Sequence, residues 1–403
     1  MANPTWSDVM QFELIKNPVI FDVGGYKGDW AQIALDKYGD STIYVFEPVK
    51  KFYELIVERY KNNSNIKIFN FGLSDKNRTE KISSDADASS VFISGGEEEI
   101  ELRDVREFLF EHKIFHVDLM KINIEGEEYR LMEYLSSSPE LNIFQNYLIQ
   151  FHDFIDNHVE RRNIIIKEMA KYYDRIFNYE FIFEGWSLKK MQKINCLGDS
   201  HISIFSNAPE LIKENEFCTN KQFSAYRFGP YLAYNFPGKD NILATANSIP
   251  EDENLLLCFG EIDCRAQVKN HVESRQEDFK IIIDEIVLKY FAGIDEIKNK
   301  NKIIFSVTPE LKEQPFFYYY KENPEVFDCP RGTYNERREY KEYFNKRIKE
   351  ESESRNYKYI SIYEYLVNEK DTKEIYYLDD IHLKSSNVLY LIEREIIKSG
   401  LIL

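Results

Sequence analysis

Twice in this chain a short apolar run stops on a glycine turn, at "VIFDVGGYKGDW" and again at "KINCLGDSHI". A run with no polar alternation is a strand buried on both faces, and helices covering a parallel sheet are the common way to bury it. The residues around each turn repeat the theme. Strands are predicted at 18–24, 42–47, 66–72, 117–124, 145–152 and 175–184, and helices over 29–38, 50–62, 101–112, 127–137 and 158–172. The pattern breaks at "FEGWSLKKMQ" and restarts, with strands at 193–198, 254–259, 302–307 and 358–362 and helices over 269–299, 335–354 and 385–398. Alternation of this kind predicts α/β domains with parallel sheets. A length of 403 residues accommodates two of them. The break places a boundary near residue 190, dividing the chain into 1–190 and 191–403. Residues 84–98, "SDADASSVFISGGEE", read as a polar loop, expected to act as a flap.

Charge narrows the partners. The net charge is −17, and binding to phosphate backbones or anionic membranes needs clustered Lys and Arg. Nucleic acid is therefore not expected as the main partner. All five cysteines lie in the second half, with no CxxC pair, which favours free thiols over disulfides or a zinc site. The opening "MANPTWSDVMQFELIK" lacks the apolar core of a signal peptide, and no stretch approaches the ~18 apolar residues of a membrane span. The expectation is a cytoplasmic protein without membrane insertion.

The first glycine turn carries glycines at 24, 25 and 28, where the backbone can approach a ligand and a helix N-terminus adds donors. Its spacing is not the dinucleotide GxGxxG, and such turns also serve as plain helix caps. The second strand ends in "VFEP". Glu47 thus stands where a carboxylate holds the ribose hydroxyls of a nucleoside cofactor, unless it is a surface glutamate.

Together, "FDVGGYKGDW", "VFEPVKKFYEL", "FNFGLSDKN" and "MKINIEGEEYRLM" resemble the FkbM family of S-adenosylmethionine-dependent methyltransferases over roughly residues 15–185. The resemblance implies a Rossmann-like class I methyltransferase domain with S-adenosyl-L-methionine as cofactor. By position it puts Asp22, Gly24, Gly25 and Gly28 around the methionine part of the cofactor and Glu47 on the ribose. Ser74 and Asp75 flank the adenine, and Glu125, Gly126 and Glu128 match the "EGxE" motif. Asn123 stands where the family usually has Asp, and Gly25 where Ala is more usual. Methyl transfer to an alcohol gains from a general base. Glu125, Glu128 and the pair His152–Asp153 are candidates, with structural alternatives: Glu128 as a helix cap, His152 as a hydrogen-bonded core histidine. Apart from the Asp-x-x-His at 379–382, neither half shows His, Cys and Asp at metal-ligand spacing, so no metal site is expected.

In the second half, "INCLGDSH" puts Ser200 at the end of a buried strand, where a nucleophile can be exposed on a sharp turn. "YRFGPY" supplies Gly229. "YYLDDIHLKSSN" places Asp379 three residues before His382, close enough to hold its imidazole in one tautomer. Residues 193–403 resemble an SGNH/GDSL-type hydrolase, which implies a flavodoxin-like α/β/α domain. The match makes Ser200 the nucleophile, His382 the base, Asp379 its orienter and Gly229 an oxyanion donor. The family's GxND block reads Gly260-Glu261-Ile262-Asp263 here, so Ile262 replaces an asparagine donor, and Arg265 is a nearby substitute. Tyr376, Tyr377 and the "FFYYY" run at 316–320 are candidates for a sugar-stacking wall or for packing.

The expected function is O-methylation of a sugar in a cell-surface polysaccharide (capsule or lipopolysaccharide) or its precursor, joined to an esterase or acyltransferase activity. The alternative is a single-activity methyltransferase whose second domain only binds the glycan or a partner.

Overall fold

The computed structural model describes residues 4–82, 98–312, 329–368 and 372–403. Two compact units divide the chain, Met1–Lys189 and Lys190–Leu403. The proposed flap therefore lies almost wholly outside the described residues, as does the "FFYYY" run.

The first unit contains strands β1 (Val19–Val23), β2 (Thr42–Phe46), β3 (Ile66–Phe69), β4 (Gly72–Ser74), β5 (Arg78–Ile82), β6 (Glu98–Asp104), β7 (Leu119–Ile122), β8 (Asn146–Ile149), β9 (Tyr173–Tyr179) and β10 (Phe183–Leu188). Its main sheet has the order β3-β2-β1-β7-β8-β10-β9. The first five of these are parallel, and β10 runs antiparallel to both β8 and β9. Strand order reverses between β1 and β7, so the carboxyl ends of those strands open a crevice where ligands bind in such sheets. The helix Asp29–Tyr38 packs its buried Trp30, Ala31 and Ala34 onto Ile20, Ile43 and Val45. A small second sheet joins β4, β6 and β5.

Two predictions are corrected in this unit. The single strand expected at 175–184 is a hairpin, with Phe181 at its turn in the left-handed region (φ 57). The helix expected over 101–112 starts only at Val105, because 98–104 pairs as β6. Asp104 caps that helix, accepting from Arg106 N and Glu107 N.

The second unit contains β11 (Ile194–Gly198), β12 (Glu216–Thr219), β13 (Phe223–Arg227), β14 (Asn254–Cys258), β15 (Asn301–Phe305) and β16 (Lys358–Ile360). Their order is β12-β13-β11-β14-β15-β16, with β12 the one antiparallel edge. Without β12 this is the flavodoxin-like order, whose switch point lies between its first and third strands, here β11 and β14. The helix expected over 269–299 is two, Val268–Arg275 and Phe279–Asp295. Gln276 turns left-handed (φ 54) between them, and Asp278 caps the second. The ends of the unit run side by side: Met191 bridges Ile402, Gln192 N donates to Leu401 O, and Leu403 N donates to Lys190 O. The described residues thus form two α/β units, a Rossmann-like one followed by a flavodoxin-like one. Among the described residues no helix is long and apolar enough to cross a membrane.

Candidate functional sites

In the first unit, each glycine of the first turn answers a local demand. Gly24 is left-handed (φ 87), and a Cβ there would lie 1.9 Å from the carbonyl oxygen of Asn123, so only glycine lets the β1 and β7 loops meet. Gly25 faces inward, with Val45 Cγ1 2.3 Å from where its Cβ would be. Gly28 faces the helix Lys50–Tyr60, and the Tyr60 hydroxyl donates to its carbonyl at 2.7 Å. The resemblance put Gly25 and Gly28 against the cofactor; on each, the side where a Cβ would stand is filled by packing.

The side chains at the strand ends carry the polar chemistry. Asp22 is fully buried on β1. Its Oδ1 accepts from Lys121 Nζ at 2.8 Å, and that ammonium also donates to Gly24 O at 2.7 Å. Burial pushes the Asp22 carboxyl up, against the pull of Lys121. Asp22 Oδ2 and Asn123 Oδ1 are both buried with no hydrogen-bond partner. Native interiors rarely tolerate such atoms, and two of them at the ends of adjacent strands fit polar groups of a bound ligand. Glu47 is buried at the end of β2, where its Oε2 accepts from Tyr26 N at 2.7 Å and its Oε1 from Val49 N at 2.9 Å. Each oxygen keeps a second lone pair for a hydroxyl. Burial raises the Glu47 carboxyl to about 7, and the two backbone donors limit the rise.

Ser74 and Asp75, expected beside an adenine, are bound into an ion network. Ser74 Oγ contacts the Glu127 carboxylate and lies 2.9 Å from Asp75 Oδ1. Arg78 donates to Ser74 at 2.9 Å and to Asp75 at 2.7 Å, and also pairs with Glu127. Lys121, Arg78 and Glu127 were missed by motif reading. Lys121 carried a signal: a lysine inside the apolar strand "DLMKINI" needs a buried anion.

The "EGxE" turn is a clasp. Glu125 is left-handed (φ 51), as is Gly126 (φ 106). Glu128 is fully buried and accepts from Gly126 N at 2.8 Å and from His152 N at 2.9 Å. Its Oε1 also lies 3.0 Å from His152 Nδ1. The opposite ring nitrogen, Nε2, is 3.5 Å from Glu125 Oε2. Glu127, not Glu128, occupies the N-cap position of the following helix, so the helix-cap alternative for Glu128 is replaced by this clasp. Burial works to lower the His152 pKa, but Glu128, Glu125 and Asp153 together raise it. Burial raises the Glu125 carboxyl. Asp153 itself is exposed.

In the second unit, β11 ends at Gly198, whose missing Cβ would meet the Cys258 carbonyl oxygen at 2.5 Å. The chain turns at once: Asp199 accepts from His201 N at 2.9 Å, and Ser200 begins a short 3₁₀ turn, half-buried. His382, 182 residues further on, places Nε2 2.7 Å from Ser200 Oγ. Its Nδ1 is 2.8 Å from Asp379 Oδ2, while Asp379 Oδ1 accepts from His382 N and Ile381 N at 2.7 and 2.9 Å. Burial opposes ionisation of Asp379, but His382 and the two backbone donors bring it down to about 2. An ionised Asp379 fixes the proton on Nδ1 and leaves Nε2 as acceptor for the serine hydroxyl.

Gly229 follows β13, where register pairs Arg227 with Gly198 and Phe228 N donates to Gly198 O at 2.8 Å. Topology thus brings Gly229 to the same sheet edge as Ser200. The loop beyond it is tied down by Asp263, which accepts from Ala233 N at 2.7 Å and Tyr234 N at 3.1 Å. Ile262 is buried and offers no side-chain donor. Arg265, named as its substitute, sits on a π-helical turn, Asp263–Gln267, and spends its Nε on Glu261 at 2.9 Å. Glu261 also accepts from Lys341 at 2.9 Å and faces His201 Nε2 at 3.2 Å. Tyr376 is buried with its hydroxyl against that of Tyr390, and the half-buried Tyr377 donates to the Pro309 carbonyl. All five cysteines are free. Among the described residues no group of three or more His, Cys, Asp or Glu is arranged to hold a metal.

Comparison with known proteins bears on both units. No curated protein matches the chain. Among solved structures, the methyltransferase FkbM of Methylobacillus flagellatus KT is 12% identical, with 45% of this chain and 46% of that one covered and a TM-score of 0.33. This chain therefore spans under half the length of that protein. A carbohydrate acetylesterase from Sinorhizobium meliloti is 13% identical, covering 52% of this chain and 98% of that one at a TM-score of 0.31. An acetylxylan esterase from Geobacillus stearothermophilus, in a catalytic-mutant form, is 12% identical, covering 53% and 96% at 0.32. The family model described as the Methyltransferase FkbM domain matches residues 22–179. Over those residues, the chain carries an FkbM methyltransferase domain.

Proposed function

We propose that the first unit is an S-adenosylmethionine-dependent O-methyltransferase acting on a sugar hydroxyl of a cell-surface polysaccharide or its precursor. The observation that carries this reading is the set Asp22, Glu47 and Asn123 at three neighbouring strand ends, with two orphaned buried oxygens, inside a segment that matches a methyltransferase family. When bound, the cofactor supplies a methyl group already activated as a sulfonium. Asp22 and Asn123 would hold its polar groups through the free oxygens, and Glu47 would accept from the ribose hydroxyls. Glu125, at the mouth, and His152 behind it would take the proton of the acceptor hydroxyl, with Glu128 fixing the ring.

The Glu47 assignment has a pH signature. A ribose hydroxyl donates best to an ionised carboxylate, so binding favours the ionised form and releases a proton. Affinity for S-adenosylmethionine should therefore rise between pH 6 and 8 with a midpoint at about 7, the value for the free site. Titration calorimetry checks this: Glu47→Gln should bind roughly 10-fold more weakly and without the pH slope. An unchanged slope in that variant rules out Glu47 as the ribose ligand.

For the second unit, the chain Asp379–His382–Ser200 supports a serine acyl-transfer activity. Ser200 Oγ would attack an ester carbonyl as His382 takes its proton. The proton then goes to the leaving alcohol, and water or a sugar hydroxyl releases the acyl group. A hydroxyl-rich substrate serves both chemistries, which is why a sugar is proposed. Surface glycan from a strain lacking the gene should lose one methyl group per modified residue by intact-mass analysis and change its acyl content. Ser200→Ala should alter the acyl content alone. Loss of methylation with acyl content untouched in both strains favours the alternative, a methyltransferase whose second unit only binds.

A further inference from the structure

His201 stands next to the proposed nucleophile, and neither constellation gave it a role. It is buried, and its ring lies against one face of the His382 ring, centroids 4.8 Å apart and planes 34° apart. Each of its nitrogens meets a polar group: Thr308 Oγ1 is 3.4 Å from Nδ1, and Glu261 Oε2 is 3.2 Å from Nε2. Glu261 is anchored in turn by Arg265 at 2.9 Å and Lys341 at 2.9 Å. Lys341 reaches Glu310 at 3.1 Å, and Glu310 pairs with Arg337 at 2.5 Å. This buried ladder runs from the turn after β14 to the helix Tyr334–Ser354. It also accounts for the residue between Gly260 and Ile262 being a glutamate.

We propose that His201, held from behind by Glu261 and Thr308, is a positioning residue for His382; the inference rests on the serine reading of this site. The reason is geometric. His382 makes two hydrogen bonds, one from each ring nitrogen, to Asp379 and Ser200. Two bonds at opposite corners of a ring leave it free to tilt about the line that joins them. A contact on the ring face removes that freedom, and His201 supplies it. A flexible face residue would not serve; His201 is itself hydrogen-bonded through Nδ1 to Thr308, with the Glu261 carboxylate facing Nε2. Burial lowers the His201 pKa to about 4, so at neutral pH it is an uncharged ring and adds no repulsion when His382 takes up a proton.

Three forms of the full-length protein test this: wild type, His201→Ala and His201→Phe, the last restoring the ring face without its nitrogens. The first readout is the rate of Ser200 labelling by a fluorophosphonate. Misplacing a catalytic base by a fraction of an ångström should slow His201→Ala about 10- to 100-fold, with His201→Phe recovering most of the rate. The second readout is the downfield proton NMR resonance of the His382 Nδ1–H bonded to Asp379. It should be visible in wild type, lost to exchange in His201→Ala and regained in His201→Phe. Labelling and resonance both at wild-type level in His201→Ala overturn the proposal, as does a Phe variant no better than Ala. A wild-type protein that does not label sinks the serine reading, and the resonance then still decides whether His201 holds His382. If His201→Ala does not fold by circular dichroism, Thr308→Val takes its place. That near-isosteric change frees one nitrogen of His201 and should broaden the resonance; a sharp, unchanged resonance overturns the proposal.

Discussion

Replacing His382 by alanine should slow fluorophosphonate labelling of Ser200 by about 10³- to 10⁴-fold, while methyl transfer by the first unit is unchanged. A serine hydroxyl alone is a poor nucleophile. In the proposed reaction its reactivity would come from Nε2 of His382, 2.7 Å away, which would take the proton as the new bond forms. Asp379→Asn should cost about as much for a different reason. The carboxylate, held ionised at about 2, puts the imidazole proton on Nδ1. An asparagine can present its amide N–H there instead, which drives the proton to Nε2 and removes the acceptor. The two changes should not add, because each disables the same unit. Labelling is the right readout because it asks only for an activated serine. The resemblance implies that Ile262 stands in place of one oxyanion donor, and losing such a donor costs about 10²- to 10³-fold in turnover. Weak hydrolysis of simple esters is therefore compatible with a working triad. Undiminished labelling of Ser200 in His382→Ala would show that the hydrogen-bond chain has no chemical role.

The second large effect is on stability. Asp22→Ala should destabilise the first unit by about 3–5 kcal/mol, because it leaves the ammonium of Lys121 buried beside Gly24 without its anion. Hydrogen exchange of the β1 and β7 amides reads this unit separately, which a single melting curve of a two-unit chain does not. A double variant, Asp22→Asn with Lys121→Met, removes both charges and should recover most of the loss. It should not recover affinity for S-adenosylmethionine, since Asp22 Oδ2 is one of the two orphaned oxygens. The pair of measurements separates holding the fold from holding the ligand. A cost below about 1 kcal/mol for Asp22→Ala, the range of exposed pairs, would mean that Lys121 finds solvent and that the ion pair is not structural. Cofactor affinity fully restored in the double variant would remove Asp22 from the proposed binding set.

What the sequence made legible follows from the range of the interactions. The strand–glycine–helix passages at 19–38 and 194–205 are local, and their residues state the geometry themselves. The same holds for Asp379 and His382, three residues apart, which hydrogen-bond as that spacing implies. Bringing His382 to Ser200 depended on the known layout of a fold rather than on spacing. The interactions that motif reading missed are nonlocal and lie inside strands or beneath the loops. Lys121 and Asp22 are 99 residues apart, and Arg78 meets Glu127 across 49. The small β4-β6-β5 sheet is hard to read from sequence because β4 is three residues long and the other two strands are rich in charge, Arg78–Ile82 and Glu98–Asp104. The start of the helix after β6 is written in the sequence, since Asp104 with Glu107 three residues on is a helix start signal. The ladder from Glu261 to Arg337 shows the other limit. Glu261 says nothing by itself in the sequence, and its partner Lys341 lies 80 residues away.

The second unit begins and finishes on the same seam, where Met191 lies across from Ile402. A globule whose entry and exit points touch behaves as a plug-in cassette. It can be spliced into a surface loop of an unrelated scaffold without prising its flanks apart, and its chain can be rejoined and reopened elsewhere by circular permutation.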